Sequence, residues 1–357
     1  MDVQAVILAG GQGTRLHPLT YTRPKPIVPL LNRPFLQYQL ALLRGHGITD
    51  IILSCSYRVD DIRAALGTGD AAGVSLRYVV EQEPLGTAGG IRNAAELAHG
   101  RLVVLNGDIL TDADLGAIMR FHEERQARVT IGLVPVEDPT QYGLVETDAG
   151  GAVRRFVEKP RRDEVTTNRV NAGIYVLEAD LLGRIPTTRP MSIEREFFPS
   201  LLASRVPVFG CAIGNHYWRD IGSPAAYREA QLDLLRGRVA TTVSPPGTLC
   251  DGCWVGADAR LAPDATLTAP AVIGADVDAG AGARLGPFAV IGDGARIAAG
   301  ACIEGTILWE GVAVGKDAVL RDCIVGANAV IGALVDAAPG VVVEANAVVP
   351  DRTRLVR

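Results

Sequence analysis

Two cations, Arg15 and Lys25, stand in an unusually constrained stretch, AVILAGGQGTRLHPLTYTRPKPIVPL (residues 5–30). Arg15 follows Gly10-Gly11-Gln12-Gly13, and Lys25 lies between Pro24 and Pro26. An arginine offers a planar fork of donors to phosphate oxygens, and a lysine a compact point charge. The two prolines restrict the backbone around Lys25. Backbone N–H groups of a glycine loop can approach a phosphate or a base closely, although the same glycines also suit a plain strand-to-helix turn. The dinucleotide fingerprint is excluded because Leu16 holds the place of its third glycine, and the triphosphatase loop because no Gly-Lys-Ser/Thr follows. The pattern suits a nucleoside triphosphate.

Other residues carry chemistry further on. Asp108 closes the apolar run RLVVLNGD (101–108). Asn-Gly-Asp also reads as a turn with a helix N-cap, but a carboxylate at the carboxyl end of an α/β strand is where a Mg²⁺ ligand sits. Lys159 follows VRRFVE and reads equally as a solvated edge-strand lysine. Cys250 and Cys253 have zinc-type spacing, but no second such pair accompanies them. No Ser-His-Asp or Cys-His arrangement is suggested by the five histidines, all of which precede residue 217.

These residues need a scaffold. Up to about residue 237, strand-like stretches (3–10, 48–55, 74–80, 101–108, 129–136) alternate with helix-like ones (33–47, 87–100, 115–126). The strands are almost continuously apolar, as expected when helices cover both faces of a mainly parallel sheet. The expectation is a Rossmann-like, doubly wound α/β domain over 1–237 with its ligand outside the carboxyl ends of the strands. Residues 238–249 read as a linker. From 250 to 357 the period becomes six: Val255, Leu261, Leu267, Ile273, Ala279, Leu285, Ile291, Ile297 and Ile303 are in phase. Hexapeptides of this kind stack into a left-handed parallel β-helix, three to a coil. LWEGVA (308–313) shifts the phase, and 314–335 resumes it with another slip.

The totals bound the partners. The net charge of −5 and the lack of a basic run argue against nucleic acid. No apolar run approaches a membrane span or a signal peptide. Six cysteines without a signal peptide read as reduced thiols in the cytoplasm. A stack of hexapeptides needs its ends and faces covered, so a homo-oligomer through 250–357 is expected. The repeats contain no histidine, which argues against acyl transfer.

GGQGTRLHPLT-x4-PKP resembles the signature of the sugar-nucleotide pyrophosphorylases, the nucleotidyltransferases that join an NTP to a sugar 1-phosphate. Further motifs follow in that family's order: EQEPLGTAGG (81–90), LNGD (105–108), YGLVETD (142–148), FVEKP (156–160), NAGIYVL (171–177), SIEREFFP (192–199) and WRDIGSP (218–224). The pattern is most similar to the GDP-mannose pyrophosphorylase branch. The resemblance implies that Leu8, Gly10, Gly11, Gly13, Thr14, Arg15, Lys25, Glu81, Gly86 and Thr87 bind the NTP. It implies that Gly143, Glu158, Lys159, Asn171 and Gly173 bind the sugar phosphate, and that Asp108 and Asp220 hold Mg²⁺. Arg15, Lys25, Asp108, Lys159 and Asp220 are then the catalytic set. The base is read just before Leu85 in this family, here at Glu81-Gln82-Glu83. A carboxylate accepts from the N1–H and N2–H₂ edge of guanine, which favours GTP, unless both glutamates are simply solvated. ATP or dTTP with glucose 1-phosphate or a cyclitol phosphate, or a non-catalytic regulatory subunit, are the alternatives.

Overall fold

The computed structural model describes residues 3–356. The chain forms two compact units. The first is the chain up to Gln12 with Leu36–Asp220; the second is Gly13–Phe35 with the chain from Ile221 onward.

The first unit is built on a nine-stranded sheet. Its strands are β1 (Val3–Leu8), β2 (Asp50–Cys55), β3 (Ser75–Val80), β4 (Arg101–Asn106), β6 (Val129–Pro135), β7 (Gly143–Thr147), β8 (Val153–Glu158), β9 (Arg169–Glu178) and β10 (Val208–Ala212). A separate two-stranded sheet pairs β5 (Ile109–Thr111) with β11 (Trp218–Asp220). The order β3-β2-β1-β4 is parallel throughout. Beyond β4 the direction changes, because β9 runs antiparallel to both β4 and β6. The sheet is therefore mixed rather than mainly parallel. Strands β7 and β8 form a hairpin across a short turn, and antiparallel neighbours need no crossover helix.

The apolar runs do what their pattern requires. Ala5–Ile7, Ile51–Leu53 and Leu102–Leu105 are fully buried. Helix α1 (Leu36–Gly45) buries Leu36, Leu40 and Leu43. Helix α2 (Val59–Leu66), absent from the sequence reading, buries only Ile62 and Leu66. Helix α3 (Gly86–Asn93) sets Ala88 and Ile91 into a cluster with Val6, Ile52, Val104, Phe197 and Phe198. Helix α4 (Leu115–Glu124) starts where Asp114 accepts from the Ala117 amide at 2.9 Å, an ordinary N-cap.

In the second unit the expected β-helix is present as three sheets of parallel strands, one of them opened by an antiparallel pair, Thr248–Cys250 with Cys253–Val255. Ile273, Ala279, Leu285, Ile291, Ile297 and Ile303 all point into one buried core. The phase slips are single-residue shortenings. Leu308 rather than residue 309 takes the inward place, as does Val325 after Leu320. Helix α5 (Pro224–Leu235) also belongs to this unit. It opens on Ser223, which accepts from the Ala226 amide at 3.2 Å, with Pro224 at its first position.

Candidate active site

In the first unit the carboxyl ends of β1, β2 and β4 lie side by side, and their loops interlock. The Ala9 amide donates to the Ser54 carbonyl at 2.8 Å, and the Gly107 amide to the Leu8 carbonyl at 2.8 Å. The Ser56 hydroxyl donates to the Gly10 carbonyl. Glu81 sits beneath these loops and is only 8% exposed. Its Oε1 accepts from the Ser54 hydroxyl and its Oε2 from the Leu85 amide, both at 3.1 Å. A Cβ on Gly10 or on Gly90 would lie 3.0 Å from Glu81 Oε1, so the carboxylate packs closely against two glycine backbones. The picture of two solvated glutamates thus holds for Glu83, which is exposed, and not for Glu81.

The Asn106-Gly107-Asp108 turn leads from β4 into β5. No helix starts at Asp108, so the N-cap reading fails; Asp114 has that role. Antiparallel pairing places Asp220 directly opposite Ile109, and Asp108 is the next residue. Two carboxylates distant in the sequence are thereby brought to one end of a small sheet. No third His, Cys, Asp or Glu joins them in a metal-holding cluster among the described residues. Such a pair suits Mg²⁺, which keeps waters and substrate oxygens and takes one or two protein carboxylates.

A second group of expected residues gathers on β7, β8 and β9. Gly143 pairs with Glu158 across the β7–β8 ladder, and a Cβ on Gly143 would lie 2.9 Å from Glu158 Oε2. The Asn171 side chain accepts from the Gly173 amide at 2.9 Å and donates to the Tyr175 hydroxyl at 2.8 Å. Gly173 has φ 68°, and a Cβ there would lie 2.8 Å from Asn106 Nδ2. This irregularity in the β9 ladder therefore touches the β4 end. The Trp218 indole donates to the Ala172 carbonyl at 2.7 Å and holds the same stretch. Lys159 follows the edge strand β8, is exposed, and has φ 50°. Its amide donates to the Tyr142 carbonyl at 3.0 Å. A non-glycine residue in the left-handed region is a local strain of the kind found at binding sites. Burial first, then the Glu194 charge, pushes the Glu158 carboxyl above the usual range, against the pull of Lys159 and Arg195.

Sequence reasoning passed over several residues here. Glu194 lies within the quoted SIEREFFP motif and accepts from both Thr87 and Ser192 at 2.8 Å. Asn106 lies within LNGD. Ser54 and Ser56 carried no signal beyond ending a strand.

Of the residues expected at the NTP, Leu8, Gly10, Gly11, Glu81, Gly86 and Thr87 belong to the first unit. Gly13, Thr14, Arg15 and Lys25 belong to the second. Thr14 and Arg15 are exposed, while Lys25 is 7% exposed. Gly13 has φ 67°, and a Cβ there would lie 3.1 Å from the Lys25 Cβ. The Thr20 hydroxyl donates to the Gly13 carbonyl at 2.8 Å. Gly13, Thr20 and Lys25 are thus one tight knot.

Known proteins share this organisation. Residues 4–237 match the family model described as nucleotidyl transferase, and residues 267–357 match the GMPPB C-terminal domain. The chain is 40% identical over 280 residues to a mannose-1-phosphate guanylyltransferase of Mycobacterium tuberculosis, covering 73% of this chain and 77% of the relative. It is 32% identical over 268 residues to a UTP–glucose-1-phosphate uridylyltransferase of Synechocystis, covering 71% of this chain and 69% of that one. Among solved structures, HddC from Yersinia pseudotuberculosis complexed with GMP-PN superposes with a TM-score of 0.55 at 31% identity, covering 66% of this chain and 100% of that one.

Proposed function

Because this chain belongs to the nucleotidyl transferase family, we propose that it joins GTP to mannose 1-phosphate, giving GDP-mannose and pyrophosphate. A phosphate oxygen of the sugar 1-phosphate attacks the α-phosphorus of GTP in line. The bond from that phosphorus to the bridging oxygen breaks, and pyrophosphate leaves with the electron pair. The attacking oxygen is already anionic, so no protein nucleophile or base is required. Catalysis is then positioning plus neutralisation of charge.

The observation that carries this reading is the strand pairing that puts Asp220 beside Asp108, at the end of the sheet where α/β folds bind ligands. Asp108 and Asp220 would hold Mg²⁺, which when bound supplies neutralisation of the growing charge on phosphate oxygens. The remaining roles fall to the chain itself. Gly10, Gly11, Gly13, Thr14, Arg15 and Lys25 take the triphosphate. Leu8, Gly86 and Thr87 line the nucleoside. Glu81, with one hydrogen bond on each oxygen, keeps acceptor capacity for the guanine edge. Lys159 holds the sugar phosphate against repulsion by the triphosphate, while Gly143, Glu158, Asn171 and Gly173 meet the sugar. GTP is favoured by the guanylyltransferase name of the Mycobacterium tuberculosis relative and by the GMP-PN complex of HddC. The Synechocystis relative keeps a pyrimidine nucleotide as the second reading.

Two further proposals complete the picture. Val330 and Val348 pair in one β-helix ladder and are 44% and 72% exposed; that apolar edge supports a homo-oligomer through the repeats. No described helix is long and apolar enough to cross a membrane, and all six cysteines are free, which supports a cytoplasmic enzyme.

Mass spectrometry of a reaction with GTP, mannose 1-phosphate and Mg²⁺ tests the reading. GDP-mannose and pyrophosphate should appear in equal amounts. Formation of GDP and inorganic phosphate instead would overturn it.

A further inference from the structure

One ladder of the β-helix carries an anomaly. After the inward residue of this face, the coils place Gly256, Gly274, Gly292 and Gly326, and Glu344 follows in the last coil. Between Gly292 and Gly326 the residue is Trp309. Glycine is what coil spacing normally requires here, since a Cβ on Gly292 would lie 2.5 Å from backbone atoms of Trp309 and Glu310. The tryptophan side chain nonetheless is only 1% exposed. Tyr227 of α5 and Arg23, two residues before Lys25, stand against it.

The contacts lie within the second unit. The Trp309 indole N–H donates to the Tyr227 hydroxyl at 3.0 Å, and that hydroxyl donates to the Pro29 carbonyl. Gln231 fastens the same stretch, where Pro29–Leu30 pairs antiparallel with Arg33–Pro34: its amide donates to the Pro29 carbonyl at 2.8 Å and accepts from the Leu31 amide at 2.7 Å. The Arg23 guanidinium lies 4.9 Å over the Trp309 ring. It also forks onto Glu310, with Nη1 3.2 Å from Oε2 and Nη2 on Oε1. Arg23 and Pro29 bracket Lys25. The turn between them closes by hydrogen bonds from the Ile27 amide to the Pro24 carbonyl at 3.0 Å and from the Val28 amide to the Lys25 carbonyl at 3.2 Å.

We propose that Trp309 and Glu310 are positioning residues for the nucleotide: they hold Arg23 and Pro29, and so fix the turn that presents Lys25. This rests on the reading that Lys25 binds the NTP. A cation held in place before its anion arrives loses less freedom on binding. The repeats thus contribute to substrate affinity without touching substrate, and the phase slip that precedes Leu308 is where the contribution enters.

The test uses the full-length chain and calorimetry with GTP alone, together with both KM values and thermal stability. Arg23→Ala and Glu310→Ala should each weaken GTP binding about two- to fivefold, the scale of a cation–π contact and a partly exposed ion pair. KM for the sugar phosphate should stay within about twofold. Arg23→Lys keeps a charge but not the planar fork on Glu310, and should recover only part of the loss. Trp309→Leu should show the larger effect; if it fails to fold, the two partly exposed partners still decide the matter. Variants with lowered melting temperature but wild-type GTP affinity would overturn the proposal. Lys25→Ala is the reference. If it too leaves GTP binding intact, the failure lies with the reading of Lys25; if it alone weakens binding, the positioning proposal fails by itself.

Discussion

Thr87 and Glu194 meet across the site: the threonine hydroxyl donates to Glu194 Oε2 at 2.8 Å, and the Ile193 amide donates back to that hydroxyl at 2.8 Å. The first turn of α3, expected at the nucleotide, is thereby tied to the segment whose charge acts on Glu158. Burial is the main cause of the raised Glu158 pKa and Glu194 the second. If ionised Glu158 accepts sugar hydroxyls, KM for the sugar phosphate should rise as pH falls through that raised pKa. Glu194→Gln removes the second cause and should move the inflection to lower pH. Comparing variant with wild type cancels the substrate's own titration. Superimposable profiles would count against the pairing.

The same shift has a stability side. A carboxyl whose pKa is raised by folding costs stability when charged, above its folded pKa, and the cost disappears as pH falls through that value. Glu158→Gln should therefore melt higher than wild type at neutral pH, and the advantage should shrink in acid. Melting curves across that range check the sign.

Asp108→Asn and Asp220→Asn should each leave the protein folded and lower turnover by at least about a hundredfold, the scale on which loss of one charge-stabilising group is felt. The test is kcat in saturating Mg²⁺ with circular dichroism as the folding control. Near wild-type turnover in both variants would remove the pair from the reaction.

The two lysines should separate by substrate. Charge-assisted contacts contribute roughly 1.5–3 kcal/mol, so Lys159→Ala should raise KM for the sugar phosphate about tenfold or more. GTP binding without sugar should then stay near wild type. Lys25→Ala should do the reverse. Loss of GTP binding in Lys159→Ala, with sugar-phosphate affinity untouched, would invert the assignment.

What the sequence made legible follows from range. The hexapeptide phase is local, and each in-phase residue from Ile273 to Ile303 proved inward. The apolar strands were legible for the same reason. Strand direction was not, because whether β9 runs with or against β4 is settled by connections and not by composition. Asp220 beside Asp108 depends on the β5–β11 register, and only a resemblance could suggest it. Glu81 looks like any surface glutamate until its two donors, Ser54 and Leu85, are placed around it. Helix α2 escaped notice because it is only eight residues long: Val59, Ile62 and Leu66 keep helical spacing, but over barely two turns. Trp309 read as a mere break in the repeat, since Tyr227 and Arg23, which account for it, lie far away in the chain.

The central claim is best tested by kcat/KM for pyrophosphate release, with purified full-length protein, Mg²⁺, and each of GTP, ATP, UTP and dTTP against mannose 1-phosphate and glucose 1-phosphate. The account predicts that GTP with mannose 1-phosphate is the most efficient pair and that Asp108→Asn loses this activity. Pyrophosphate release that is absent for every pair, or that is greatest for another base or sugar and indifferent to Asp108, would contradict it.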